Sequence, residues 1–338
     1  MLEPKTAKEI MVTQLVTLSP DQHVYDGIAG LLKNNITGAP VIDSQHNYLG
    51  VFSEKCCMNV LNVMATNACE DESNAADSIQ VETFMTQKLV SLSPDEDAFD
   101  AIEKLLNNRI SGAPVLDDQG TFLGVFSEKD SMRALISAAY EQLPSTSVGA
   151  LMNTRRQRVI APGTDLLSIA KMFVETPLRR LAVVDENEKL VGQVSRRDVL
   201  RAEQKCFKSV RHRVKGLADQ MKIESTVDSI AESETNASGE FYSEADAYTD
   251  AETNRVAYFM DRNAMVIPES TGFWGVAQVF LDTPYRRLPV VENGVLVGQI
   301  SRRDLLRAAN ELFPRHGLPE KSLLYLSSIV DRQDAPIS

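Results

Sequence analysis

The chain is 338 residues long, with 24% charged, 43% hydrophobic and 6% aromatic residues and a formal net charge of −12. Length and composition fit a globular protein of about two or three domains, and they exclude collagen-like, wholly disordered and disulfide-stapled chains. The acidic balance disfavours nucleic acid, no apolar run approaches the roughly 18 residues of a membrane span, and MLEPKTAKEIM has no apolar leader core, so a cytoplasmic protein binding neither nucleic acid nor membrane is expected.

The first unit runs over residues 8–66 and the second over 82–140. Met11–Leu61 aligns without a gap on Met85–Leu135, and about half the positions are identical, which marks an internal repeat. Leu18-Ser19-Pro20-Asp21 returns as Leu92-Ser93-Pro94-Asp95, and Gly50-Val51-Phe52-Ser53-Glu54-Lys55 as Gly124-Val125-Phe126-Ser127-Glu128-Lys129. Within the second unit Leu89–Leu92 is predicted as a short strand. Ser93-Pro94-Asp95-Glu96 then predicts a helix start, with Ser93 as N-cap and acids in the first turn. Ala98, Ile102, Leu105 and Leu106 follow at helical spacing as one buried stripe. Ser111-Gly112-Ala113 ends that helix. Pro114–Leu116 and Thr121–Phe126 predict strands around a turn, and Ser127 opens a helix running to about Ala139. The unit is β-α-β-β-α, so the fold class is α/β. Asn67–Asp77, between the units, is polar and predicts a solvated loop or helix end.

The third unit, 148–206, and the fourth, 255–312, repeat the plan in another dialect. Thr176-Pro177-Leu178-Arg179-Arg180-Leu181 matches Thr283-Pro284-Tyr285-Arg286-Arg287-Leu288, and Phe273, Val276, Ala277 and Phe280 trace the first-helix stripe of the fourth unit. Residues 207–254 begin basic, turn strongly acidic and carry few large apolar side chains, which predicts a flexible insertion; 313–338 is a C-terminal tail. Because repeats 1 and 2 resemble each other more than either resembles 3 or 4, the expected architecture is two modules, repeat 1 with 2 and repeat 3 with 4. A small three-stranded sheet with one uncovered face has to pair.

The end of the last strand carries the chemistry. It reads Gly124…Ser127-Glu128-Lys129-Asp130 in repeat 2, Gly192…Ser195-Arg196-Arg197-Asp198 in repeat 3 and Gly298…Ser301-Arg302-Arg303-Asp304 in repeat 4. Ser with Asp three residues on is a helix cap. The same helix start also offers unpaired N–H groups to an anion, a hydroxyl to a phosphate oxygen and a carboxylate to a ribose diol. The glycine permits close approach of a base or a backbone. Arg179, Arg180, Arg196, Arg197, Arg286, Arg287, Arg302 and Arg303 recur at matching places; singly each is a surface charge, together they favour an anion pocket.

Four in-register β-α-β-β-α units with these strand ends resemble the CBS domains, named after cystathionine β-synthase, over residues 8–140 and 148–310. The resemblance implies four repeats paired, neighbour with neighbour, into two pseudo-two-fold Bateman modules. It implies adenine nucleotide (AMP, ADP or ATP, less readily S-adenosylmethionine) in clefts between paired repeats. The family's carboxylate holds the ribose and its Ser or Thr faces the phosphate, which carries over to Ser127 with Asp130, Ser195 with Asp198 and Ser301 with Asp304. Repeat 1 keeps Ser53 but has Cys56 in place of the carboxylate. With Asp198, Asp304 and the double arginines Arg179, Arg180, Arg286 and Arg287, the Arg179–Arg307 half is expected to hold the tight sites. The function implied is a stand-alone energy-sensing regulator that modulates an unidentified partner protein in trans, with homodimerisation through the modules open. The alternative is a ligand-free scaffold or oligomerisation protein whose Ser-x-x-Asp motifs are only caps.

An enzyme is not expected. His23, His46, His212 and His316 form no metal spacing, and there is no Gly-x-Ser-x-Gly elbow or Gly-x-x-x-x-Gly-Lys loop. Cys56 and Cys57 read as semi-buried helix residues, and with Cys69 and Cys206 they show no disulfide framework, in keeping with a reducing compartment.

Overall fold

The computed structural model describes residues 5–67, 79–140, 147–155, 158–205 and 254–312. The expected polar loop apart from Asn67, the insertion apart from Asn254, the tail, and with them Cys69, Cys206, His212 and His316, lie outside the described residues.

Each repeat is a helix, an antiparallel hairpin and a second helix. In repeat 1 these are Val24–Lys33, Gly38–Ile42 with Tyr48–Ser53, and Glu54–Asn67. In repeat 2 they are Ala98–Asn107, Gly112–Leu116 with Phe122–Ser127, and Glu128–Tyr140. Repeat 3 has Leu166–Glu175, Arg180–Val184 with Leu190–Ser195, and a helix over 196–205. Repeat 4 has Phe273–Asp282, Arg287–Glu292 with Val295–Ser301, and Arg302–Leu312. The first strand of the unit shrinks to a brief parallel contact, Leu18 with Val41, Leu92 with Val115, Val159–Ile160 with Ala182 and Val183, and Ile267 with Val290.

The stripes bury as the helical period requires: Ala98, Ile102 and Leu105 in repeat 2, and Phe273, Val276, Ala277 and Phe280 in repeat 4, are buried, while Leu106 is partly so. The predicted helix start at Ser93 is displaced. Ser93 closes a local turn, accepting from Asp95 N at 3.4 Å, and the N-cap is Asp97, whose carboxylate accepts from Phe99 N at 2.9 Å. A carboxylate that meets two helix N–H groups takes the cap from a hydroxyl already engaged in a turn.

Pairing is the principal correction. Repeat 1 does not pair with 2, nor 3 with 4. Antiparallel bridges join Val12 to Gln299 and Val51 to Asp261, so repeat 1 pairs with repeat 4; others join Thr86 to Gln193 and Val125 to Asn153, so repeat 2 pairs with repeat 3. The segment ahead of each repeat is a strap that crosses onto its partner. Its short helical turn plugs the partner's core with one residue at zero exposure: Ala7 on repeat 4, Val81 on repeat 3, Val148 on repeat 2 and Val256 on repeat 1. Burying one such valine contributes about 1.5–3 kcal/mol. The glycine before each last strand residue admits the strap. A Cβ on Gly124 would stand 2.7 Å from the Asn153 carbonyl oxygen, and one on Gly50 would stand 2.6 Å from that of Asp261. At Gly50 and Gly124 the close approach is that of strap backbone, and at Gly192 and Gly298 that of the Met85 and Met11 side chains.

Helices close the ring the other way. The last helix of repeat 1 packs on the first of repeat 3, and the last helix of repeat 2 packs on both helices of repeat 4. The order around the disc is therefore 1–4–2–3, and the two dialects alternate. Complementarity explains it. Repeats 1 and 2 carry Gly38 and Gly112 where repeats 4 and 3 carry Arg287 and Arg180, and these arginines donate to the Gly38 and Gly112 carbonyls at 3.3 Å each. Across the helical contacts Arg197 of repeat 3 donates to Glu54 of repeat 1 at 3.1 Å, and Arg286 of repeat 4 to Glu128 of repeat 2 at 2.8 Å. Glu54 and Glu128 keep 10% and 5% of their side-chain exposure. Contacts between like dialects would set buried carboxylates against one another without a cation, which is strongly unfavourable.

Candidate functional site

The three Ser-x-x-Asp ends close on themselves. Ser127, Ser195 and Ser301 each donate a hydroxyl to Oδ2 of Asp130, Asp198 and Asp304 at 2.6 Å, and their backbone N–H groups reach the same oxygens at 3.0, 2.9 and 2.8 Å. At Ser195 and Ser301 the Asp N–H returns to the Ser hydroxyl at 3.3 Å and completes a capping box; at Ser127 the bonds to the Asp130 carboxylate make half of one. In repeat 1 the Ser53 hydroxyl and Cys56 sulfur lie 3.4 Å apart, and burial raises the Cys56 and Cys57 thiols above their ordinary value.

The arginines divide by position. Arg196 and Arg302 are buried, not solvated; each donates to two carbonyls at the end of its own repeat's first helix, Phe173 and Thr176 or Phe280 and Thr283, at 2.9–3.0 Å, and lies over the Phe173 or Phe280 ring. Burial, with Arg286 nearby, draws Arg302 down to about 10. Arg197 and Arg303 bind repeats 1 and 2 to repeats 3 and 4: Arg197 through Glu54 and Asn35, Arg303 through the Arg109 carbonyl at 2.7 Å. Arg179 donates to the Pro284 carbonyl at 3.5 Å and has no ion pair among the described residues; burial first, then Arg286 and Arg196, push its guanidinium well below its ordinary value.

Two cavities open on this ring. The larger, about 350 Å³, lies between repeats 2 and 3 and is closed by Pro284, Arg286 and Arg302 of repeat 4. The smaller, about 210 Å³, lies between repeats 1 and 4. Pro177, Arg179, Pro284 and Arg286 wall both, so the cavities meet at the centre of the disc. Ser127, Asp130, Arg179, Arg180 and Arg286 line the larger; Ser53, Arg179, Arg286 and Arg287 line the smaller. Ser195, Asp198, Ser301 and Asp304 line neither. The expectation that the Arg179–Arg307 half forms one module fails, because repeats 3 and 4 belong to different sheet pairs.

Four cavity cations escaped the motif search: Lys129, Arg133, Arg155 and Arg158. Arg155 and Arg158 sit on the repeat-3 strap, in Asn153-Thr154-Arg155-Arg156-Gln157-Arg158, which is one residue longer from Met to strand than the other three straps. That irregularity in an otherwise fixed spacing was the available signal. Eight cationic side chains line the larger cavity against the carboxylates of Glu128 and Asp130. Asp130 is buried at 3% exposure, with Arg133 at 3.3 Å from Oδ1; burial raises its carboxyl above the ordinary value, against the pull of Ser127 and Arg133. Arg158 is held below its ordinary value by burial, partly offset by Asp130. Its buried Nε has no hydrogen-bond partner among the described residues. A concave site of this size, rich in cations and with a hydroxyl and a carboxylate at one end, suits a phosphorylated small molecule.

The CBS domain profile matches residues 7–62, 81–137, 148–205 and 256–311, about two thirds of the chain. The chain belongs to the CBS-domain family. The chain is similar to an uncharacterised protein of Methanocaldococcus jannaschii, 23% identical over 202 residues that span 57% of this chain and 68% of that one. The chloroplastic CBS domain-containing protein CBSX2 of Arabidopsis thaliana is 32% identical over 150 residues, 35% of this chain and 61% of its own. The gamma-3 subunit of the 5'-AMP-activated protein kinase of Sus scrofa is 25% identical over 199 residues, 56% of this chain and 38% of its own. A solved structure of CBSX2 in complex with AMP overlays on 38% of this chain and 97% of its own, at 35% identity and a TM-score of 0.34. Among the described residues no helix is long and apolar enough to cross a membrane, and no group of three or more His, Cys, Asp or Glu side chains converges as a metal site.

Proposed function

We propose that this CBS-domain chain is a regulatory protein that binds an adenine nucleotide in the cavity between repeats 2 and 3 and modulates a partner protein in trans. The observation that carries the reading is the cationic cavity with the Ser127–Asp130 pair at one end and the unpartnered Arg158 Nε at its wall. The Ser127 N–H and hydroxyl occupy Asp130 Oδ2 and Arg133 takes one site on Oδ1, so Asp130 keeps one acceptor site, on Oδ1, for a single ribose hydroxyl. The arginines supply the donors for phosphate, since the Ser127 hydroxyl already gives its proton to Asp130. AMP in the CBSX2 complex and the kinship with an AMP-activated kinase subunit support adenine as the base.

The closed capping boxes favour a second reading, a scaffold without ligand. Thermal unfolding of the purified chain separates the two. A ligand present at 100 times its dissociation constant adds about 2.7 kcal/mol at one site, a shift of several degrees. AMP, ADP or ATP is expected to raise the melting temperature of the wild type, and Asp130→Asn to remove most of the rise. A melting temperature that ignores all three nucleotides at millimolar concentration leaves the scaffold.

A further inference from the structure

We propose that the cavity between repeats 2 and 3 is a polyphosphate site: it takes a nucleoside tri- or diphosphate in preference to the monophosphate, and Arg155 and Arg158 of the repeat-3 strap set that preference. The inference rests on the nucleotide reading of this cavity and adds the class of ligand.

The charge count comes first. Of the eight cations in the larger cavity, Arg133 is matched by Asp130, Arg286 by Glu128, and Arg302 is tied to two carbonyls. Lys129, Arg155, Arg158, Arg179, Arg180 and Arg302 have no ion pair among the described residues; Lys129, Arg179 and Arg180, like Arg302, donate to carbonyls, of Thr283, Pro284 and Gly112, which leaves their charge unmatched. A phosphate monoester brings a charge of about −1.5 to −2 at neutral pH, so a single phosphate leaves most of this surplus unmatched. Each further phosphate in a chain adds at least about one negative charge, which the exposed Arg155 and the half-buried Arg158 are placed to meet.

Geometry then distinguishes the two cavities. The strap of repeat 3 crosses repeat 2 beside Gly124, where Asn153 and Val125 exchange backbone hydrogen bonds at 2.9 and 3.0 Å, and this brings Arg155 and Arg158 to the Ser127–Asp130 end. At the structurally equivalent bridge of the smaller cavity stands Asp261, a carboxylate. That cavity has five cationic side chains against Glu54 and Asp261, and its arginines at the centre are shared with the larger one. The extra strap residue and its arginines thus occur only where the cation surplus is greatest. The Arg158 Nε, buried and unpartnered, is a donor awaiting an acceptor that no described side chain supplies.

Titration calorimetry at constant ionic strength and without added metal, using AMP, ADP, ATP and inorganic tripolyphosphate, tests the assignment. The wild type is expected to bind ATP at least about tenfold more tightly than AMP, the scale of one charge-assisted contact. In Arg155→Gln/Arg158→Gln that ratio is expected to fall to about threefold or less while AMP affinity changes little. Arg158→Lys, which retains charge, preserves the ranking if the double variant is too unstable to titrate. AMP binding as tightly as ATP to the wild type, or an unchanged ratio in the double variant, overturns the proposal while leaving the nucleotide reading intact. Tripolyphosphate binding that depends on Arg155 and Arg158, with no effect of any nucleotide, keeps the polyphosphate site and overturns the adenine reading. Binding of neither overturns both.

Discussion

Alanine at Gly124 puts the crossed pairing to a direct energetic test. Its Cβ would lie 2.7 Å from the Asn153 carbonyl oxygen and 3.2 Å from the Met152 sulfur. The oxygen is backbone, and it is held: Val125 N donates to Asn153 O at 3.0 Å and Asn153 N to Val125 O at 2.9 Å. Relief requires the strap to lift from the sheet edge. Overpacking of this kind costs about 1–3 kcal/mol, and weakening the two backbone bonds adds up to about 1 kcal/mol each. A total near 2–4 kcal/mol converts, at about 2–4 °C per kcal/mol for a unit of 150–250 residues, to a fall of several degrees or more in melting temperature. Gly192→Ala meets a flexible Met85 side chain instead and is expected to cost less; Gly163→Ala has nothing within 4 Å and is expected to be neutral. Thermal unfolding by circular dichroism should rank the three in that order. If Gly124→Ala melts with Gly163→Ala, the repeat-3 strap does not cross repeat 2 and the 2–3 pairing is wrong.

Two further outcomes follow from the same packing. Glu128→Gln removes the carboxylate that Arg286 and Arg303 share at 2.8 and 3.7 Å; with those arginines 21% and 28% exposed, the loss is expected at about 1–3 kcal/mol, below the fully buried case. Glu175→Gln, in a pair 3.9 Å apart and mostly exposed, is expected within about 0.5 kcal/mol, so coincident urea midpoints for the two variants would refute the alternating ring. Asp130 has a folded pKa raised above the ordinary 3.8, so the folded state holds its proton more tightly and its contribution to stability falls as pH rises from about 3.8 through the folded value. Without ligand, Asp130→Asn is therefore expected to lose less stability than the wild type over that interval; parallel stability–pH curves would show that burial of Asp130 is not felt.

Much of this arrangement is written in the residues themselves. A period found twice over, apolar stripes such as Ala98, Ile102 and Leu105, and Ser with Asp three residues on are local patterns, so the repeat, its helices, its core face and its caps are legible without coordinates. The start of a helix is less so: Ser93 and Asp97 both suit the cap, and only the turn that engages Ser93 decides between them. Which repeats touch is a different kind of question. Likeness between repeats 1 and 2 records that they are copies, whereas contact is decided by complementarity. Glu54 and Glu128 need the arginines of repeats 3 and 4, and the carbonyls of Gly38 and Gly112 accept from Arg287 and Arg180. Those residues stand in plain view in the chain, but their partners lie more than sixty positions away, and only the closed ring brings them together. The same closure sorts the candidate site. Ser127 and Ser195 share the same Ser-x-x-Asp spacing, yet one lines the larger cavity, on the repeat that the arginine-bearing strap crosses, and the other does not.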